Sequence, residues 1–503
     1  MKTAILGGQY IASSSNAGAN RMINLYPEAI PEGGKEPGFL SRCPGLVLKA
    51  TVGSGPIRGE LKVAGVGYVV SGQELYKLTS TYSSRLLGTV SGSGPVSMAD
   101  NGVQIFIACN PRGFIYNIST DTFQEITDTD FPGAVTVDFI DQYFVFNEPD
   151  SQRFWVTSLL DGTAIDPLEF ASAEGSPDLL VACKTDHREV WLFGTNSVEV
   201  YYNSGALDFP LTRIQGAFIE IGCSAAYSIA KLDNALFWLG SDDRGSGVVY
   251  RADGYAGKRV SDHSVETIIQ KFSTISDAVA YTYQQSGHSF YVLTFPTAGR
   301  TFCYDVATNL WHERAGWEKG LFLRHRGNAH MSFNNQPHIG DYKNGNIYTF
   351  DLEIYADNGE IQKWLRSWRA IPTGKNSLSR VIHHFLQLDA EAGVGITPDF
   401  SPAPFLSMPG NLSMPDDLLM PGGDPWAYTV GEEALVSLRW SDDGGHKWSN
   451  EHWKSLGRIG DTLHRPIWRR LGISRDRVYE LSGTDPNKIA IMGAELKATP
   501  TGS

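Results

Sequence analysis

The sequence predicts an all-β protein: a β-propeller-like body of six or seven blades, a C-terminal antiparallel β-sandwich and an extended N-terminal arm. Three observations carry this. A pair of short apolar strands recurs at a spacing of roughly 45 residues, the period of propeller blades. Aromatic residues make up 11% of the 503 and glycine numbers 53, against only 19% charged residues, which suits short strands joined by tight turns and not a disordered chain. The composition then shifts near residue 375, where the repeat fades and a Pro/Met-rich stretch interrupts new strands. A chain this long exceeds one ordinary core, so two or three domains, or one large β architecture with an appendage, are expected.

Residues 1–50 read as the arm. The stretch from Ala12 to Leu46 is loop-rich, with four prolines and little periodicity, and offers one strand at 23–26. Such an arm is expected to lie on another surface. Residues 51–375 read as the body. Its apolar strands are 67–70, 105–108, 143–146, 190–193, 236–239, 290–293 and, faintly, 338–340. Each is followed after a polar turn by a partner, at 75–78, 114–117, 154–157, 198–202, 248–251, 302–305 and 346–350. Tyrosine recurs in the partners as Tyr76, Tyr116, Tyr201, Tyr250, Tyr304 and Tyr348. Asp100-Asn101-Gly102, Asp161-Gly162, Asp253-Gly254 and Lys343-Asn344-Gly345 supply the residues that hairpin turns favour. One such unit cannot bury its own apolar faces, so the units are expected to stack in a ring. The alternative is a run of unrelated hairpins in a large sandwich.

Residues 376–503 read as the sandwich, with a loop insertion at 395–428. In 383–391 Leu386 and Leu388 alternate with Phe385, Gln387 and Asp389, the period of a half-buried strand. The insertion repeats Leu-x-Met-Pro three times, and prolines at that density forbid helix and inner strand alike. Met408, Met414 and Met420 line it. Flexible methionines make adaptable contacts, so this is a candidate interface or channel loop; the plainer reading is a loop lying on its own domain.

The net charge is −13 and the pI near 5.4, unlike a free sequence-reading DNA binder. Acidity suits a protein that surrounds DNA without gripping it, because a like-charged wall repels phosphate. Five scattered cysteines without a CxxC read as buried thiols and not as a disulfide framework or a zinc site. The N-terminal apolar run is too short for a signal peptide, and no run approaches the 18 residues of a membrane span. Synthesis and folding in a cytoplasm are expected.

Ser441, Asp443, Gly445 and Trp448 have the Ser-x-Asp-x-Gly-x-x-Trp spacing of the Asp-box found in sialidases. A sialidase needs several copies, an arginine triad and a nucleophile with its acid. The single copy here lies outside the blades. It reads as a structural hairpin, in which the aspartate accepts backbone N–H groups, the glycine takes positive φ and the tryptophan packs beneath. A G-x-S-x-G elbow, an H-E-x-x-H pair and a Walker loop are all missing, so no catalytic residue, metal ligand or cofactor is expected. His383 and His384 are adjacent on a strand and point to opposite faces. Between 458 and 477, Arg458, Arg465, Arg469, Arg470, Arg475 and Arg477 face only two acids, a local balance of +4. Such a patch suits an adaptor protein, a neighbouring subunit or DNA; the plainer reading is a solvated face with internal ion pairs.

The segments from Leu438 to Leu481 and from Asp485 to Ala498, together with the Asn-Leu-Tyr-Pro-Glu run at 24–28 and the stretch 92–102, resemble the packaged-DNA stabilisation proteins. These are the tail hub or nozzle proteins of short-tailed bacteriophages, the podoviruses. The resemblance implies a non-enzymatic structural protein of the virion tail, made in the host cytoplasm. It implies a homo-hexameric ring below the portal-bound adaptor, or head-completion, protein. That ring would close the channel after packaging, retain the genome and pass double-stranded DNA at ejection. It would also carry tail spikes or fibres and tip proteins. The Met-Pro repeat has no counterpart in the resemblance. Two other functions stand beside it: a receptor- or carbohydrate-binding propeller module of a phage tail, and a sialidase-like glycosidase.

Overall fold

The computed structural model describes residues 2–11, 19–30, 34, 36–206, 209–242, 245–370, 379–394 and 433–501. The chain forms two compact units. One comprises Leu48–Trp311 and Arg324–Thr349; the other gathers Met1–Val47, His312–Leu323 and Phe350–Ser503.

The first unit is built of seven blades. Blades one to four are four-stranded antiparallel meanders at 57–89, 97–125, 137–172 and 180–219. Blade five spans 222–259. Blade six contains Val279–Gln285, His288–Phe295 and Arg300–Asp305. Blade seven contains Gly327–Phe333, Gln336–Asp341 and Asn346–Asp351. The paired strands read from the repeat are the middle two strands of each blade. In blade two, Gln104–Cys109 is buried at every position, whereas the outermost strand Thr122–Glu125 is mostly exposed. Middle strands are packed on both faces and so read as continuous apolar runs; inner and outer strands carry no such signal.

Blade seven takes its last strand from the start of the unit. Residues 48–51 of the strand Gly45–Thr51 lie beside Asn346–Asp351, the Val52 N–H donates to the Gly345 carbonyl at 2.7 Å, and Thr51 Oγ1 meets Asn346 Oδ1 at 2.8 Å. This closes the ring with no free end. The core lies between blades. Tyr68 and Val70 of blade one pack with Ile105 and Ile107 of blade two, and Phe106 lies 5.6 Å from both Phe144 and Phe146 of blade three.

The second unit is the β-sandwich. One sheet has the order Leu25–Ala29, Gly38–Arg42, Ala490–Pro500, Val381–Ala390 and Ile467–Arg469, with Ile473–Ser474 also on Val381–Ala390. The other runs from Met22–Ile23 through Trp364–Ala370, Arg477–Gly483 and Leu435–Ser441 to His452–Ser455. Trp364, Trp368, Leu386, Leu388, Leu438, Tyr479, Leu481 and Leu496 fill the space between them.

This division departs from the boundaries expected at 50 and 375. The expected arm enters the sandwich: Ile5, Met22, Leu25 and Leu40 are completely buried in its core, and Leu25–Ala29 and Gly38–Arg42 pair as strands. Trp364–Ala370, assigned to the body from sequence, pairs along its whole length with Arg477–Gly483. Strand partners more than 100 residues away decide both placements, and no local pattern reports them.

Candidate functional site

Ser441 ends the strand Leu435–Ser441, and the chain then turns through two residues of positive φ, Gly444 and Gly445. The turn is organised by two oxygens. Ser441 Oγ lies 2.7 Å from Asp443 Oδ1 and accepts the Gly445 N–H at 2.8 Å. Asp443 Oδ1 accepts the N–H groups of His446 and Lys447 at 3.0 and 2.8 Å. The Lys447 N–H leads in holding the Asp443 carboxyl below its ordinary pKa. Trp448 lies against Gly445 and under the Arg439 guanidinium, 4.8 Å from ring to Cζ. The adjacent Trp440 stacks on His452 at 4.8 Å. The arrangement uses its polar groups on its own backbone.

The six arginines divide into three groups. Arg477, 2% exposed, is bidentate to Asp442 at 2.6 and 2.9 Å, donates to the Leu471 carbonyl at 2.5 Å and lies over Trp440. It is thus tied to the residue beside Asp443. Arg458 pairs with Glu433 at 2.9 Å and Arg465 with Asp389 at 3.4 Å. Arg469, Arg470 and Arg475 are exposed and have no ion pair among the described residues; Arg469 has only the Phe385 ring, at 6.0 Å. These three sit along the edge formed by Ile467–Arg469 and Ile473–Ser474, with exposed Leu463 and Ile473 beside them in sequence. Met408, Met414 and Met420, with the whole loop 395–428, lie outside the described residues.

Three features go beyond the sequence reading. Asp442 is the buried arginine's partner. His383 is enclosed, with Nε2 at 2.8 Å from Ser474 Oγ and Nδ1 at 2.9 Å from Tyr479 Oη, and burial lowers its pKa to about 4, whereas His384 is exposed. The third is Glu60, on the innermost strand of blade one.

Glu60 lines a cavity of about 230 Å³ at the centre of the propeller unit. Met98, Thr136, Lys184, Tyr227, Ala280 and His330, from the other six blades, complete it. Both carboxyl oxygens of Glu60 are occluded, and burial raises its pKa to about 8 against a smaller opposing effect of the Gly340 backbone. At about 30 Å³ per water the cavity has room for on the order of eight waters.

Comparison with known proteins agrees with this architecture. A family model described as "Bacteriophage P22 Gp10, beta-propeller" matches residues 1–355, and one described as "Bacteriophage P22 Gp10, beta-sandwich" matches 417–499. Curated proteins gave no match. Among solved structures, the computationally designed Ika8 protein is 12% identical with a TM-score of 0.38, over 60% of this chain and 99% of its own. The N-terminal domain of Nup159 is 9% identical with a TM-score of 0.39, over 66% and 100%. The Neurospora crassa Pan2 WD40 domain is 8% identical with a TM-score of 0.39, over 60% and 94%. The propeller match alone covers well over half of the chain, which therefore belongs to the P22 Gp10 family of phage packaged-DNA stabilisation proteins, structural proteins of the virion.

Proposed function

We propose that the chain is a subunit of a tail nozzle that closes the portal channel after packaging, retains the genome and forms its exit path. The observation that carries this is the pair of family matches, one to each β architecture of the chain. All seven blades close on one small axial cavity, which supports a path for DNA between copies and not through one. The net charge of −13 suits a conduit wall, since weak phosphate contacts let a duplex slide. Retention is then mechanical, by loops of several subunits narrowing the lumen. The proposed ring is homo-hexameric, docks on the portal-bound adaptor and carries spikes or fibres and tip proteins. The Pro/Met loop at 395–428 is proposed to face the lumen or a neighbouring tail component. No enzymatic step is proposed.

The deciding experiment is deletion of the gene, followed by imaging of particles and measurement of their DNA. Heads of normal size that package and then lose their genome are expected. Particles that keep their DNA and only fail to adsorb would replace this reading with a receptor-binding one.

A further inference from the structure

Acidic residues crowd one stretch of this chain, although five of them, Asp121, Glu125, Asp138, Asp141 and Glu148, are met by basic partners. Residues 121–178, which span the outer strand of blade two, blade three and the loops flanking it, hold thirteen Asp and Glu against a single arginine, Arg153. That local balance of −12 nearly equals the −13 of the whole chain. The blade topology groups part of it on one rim. The loops that enter and leave blade three carry Asp130 and Glu174, and its central hairpin turn carries Asp150. The Ser151 carbonyl accepts the Leu180 N–H at 2.9 Å, which holds that turn against the exit loop. All three acids are exposed and none has an ion pair among the described residues. An exposed leucine accompanies them: Leu179 follows Glu174 on the same loop.

The sandwich unit presents the converse. Arg469, Arg470 and Arg475 are open, and Leu463, 85% exposed, and Ile473 lie among them. The segment 458–477 contains six arginines and no lysine. Protein interfaces favour arginine over lysine and combine it with apolar contacts; arginine also suits phosphate, and it is the exposed Leu463 and Ile473 near these arginines that favour a protein partner. Both surfaces thus have the character of protein interfaces, and their charges are opposite.

We propose that the acidic rim of blade three docks on the open arginine edge of the sandwich unit in a second copy of this chain. The contact joins two different surfaces, so it is head-to-tail and propagates into a ring where the rotation closes. Opposed charges set the register and suppress like-with-like pairing. The proposal rests on the ring reading above and names the surfaces that would make the ring.

The test uses two triple variants of the full chain, Asp130→Lys with Asp150→Lys and Glu174→Lys, and Arg469→Glu with Arg470→Glu and Arg475→Glu. Native mass spectrometry and sedimentation at low salt read assembly, and thermal melting verifies that these exposed substitutions leave the fold intact. Each variant alone is expected to associate at least tenfold more weakly than the unmodified chain. Their equimolar mixture is expected to assemble, because each contact then regains opposite charges. Two variants that assemble like the unmodified chain would overturn this contact and leave the ring reading standing. An unmodified chain that stays monomeric throughout would overturn both. A mixture that fails to assemble would overturn the pairing, as would an arginine variant that assembles normally but loses duplex DNA binding.

Discussion

Arg477 and Asp443 sit close together in the C-terminal hairpin and do unequal work. Asp443 is exposed and holds a turn; Arg477 is buried and joins that turn to the core through Asp442, Trp440 and Tyr479. Arg477→Ala is expected to destabilise the sandwich by about 2–3 kcal/mol, below the roughly 3–5 of a fully buried pair because Asp442 is half exposed. Asp443→Ala should lower the thermal midpoint by less and remove no enzymatic activity; calorimetry on both variants orders them. Two buried groups give opposite pH dependences. His383 has its pKa lowered to about 4, so between pH 6.5 and 4 the unfolded chain binds a proton that the folded chain does not. Its contribution to stability is complete above pH 6.5 and is lost as pH falls towards 4. Glu60 has its pKa raised to about 8, so the folded chain holds the extra proton between pH 4.5 and 8, and stability is lost as pH rises. Glu60→Gln is therefore expected to stabilise the propeller at pH 8, by on the order of 2 kcal/mol, and to leave it unchanged at pH 4. Urea titrations at the two pH values measure the difference. The Asp-box spacing was legible because all its partners lie within eight residues. Glu60 was not, since its environment comes from seven blades.

At the scale of the element, the recurring tyrosines explain why the blade repeat can be read at all. Their hydroxyls find partners: Tyr76 with Glu74 at 2.5 Å, Tyr116 with Asp121 at 2.6 Å, Tyr304 with Asn309 at 2.8 Å and Tyr348 with Asp341 at 2.8 Å. Each ring fills apolar space while its hydroxyl ties the blade's own strands or turns together, which keeps a tyrosine at that position. The seventh unit was faint in the sequence because its middle strand Gln336–Asp341 carries Pro337, His338 and Gly340 in place of an apolar run; its last strand comes from 48–51, some 300 residues away. That closing strand can be tested at Gly345, where an added Cβ would lie 2.3 Å from the Val52 carbonyl oxygen and 2.5 Å from that of Gly53. Both are backbone atoms that cannot rotate away. Gly345→Ala is expected to detach the closing strand and lower the propeller's melting temperature, with early hydrogen exchange at 48–52.

For the whole molecule, charge is the property with consequences. With a net charge of −13 and its positive segment small, the purified chain is expected to give no gel shift with duplex DNA at about 10 μM and physiological salt, although nonspecific DNA binders typically reach 10⁻⁴–10⁻⁶ M. A clear shift, abolished by raising the salt, would contradict the sliding-wall account. Assembly through the acidic rim and the arginine edge should weaken as salt rises, because exposed charges are screened beyond about 8–10 Å at physiological ionic strength.

The sequence by itself determined the all-β class, the blade period, the middle strands and the hairpin at Ser441–Trp448. Each depends on patterns that repeat, or close, within a few tens of residues. Tertiary structure decided what joins across the chain: residues 22–29 and 38–42 entering the sandwich, Trp364–Ala370 pairing with Arg477–Gly483, and 48–51 completing blade seven. It also separated the six arginines into one buried anchor, two with acidic partners and three left open. The physical reason is common to all of these. A strand's periodicity fixes which face is apolar, but its partner is chosen by burial and backbone hydrogen bonds that form only when distant segments meet.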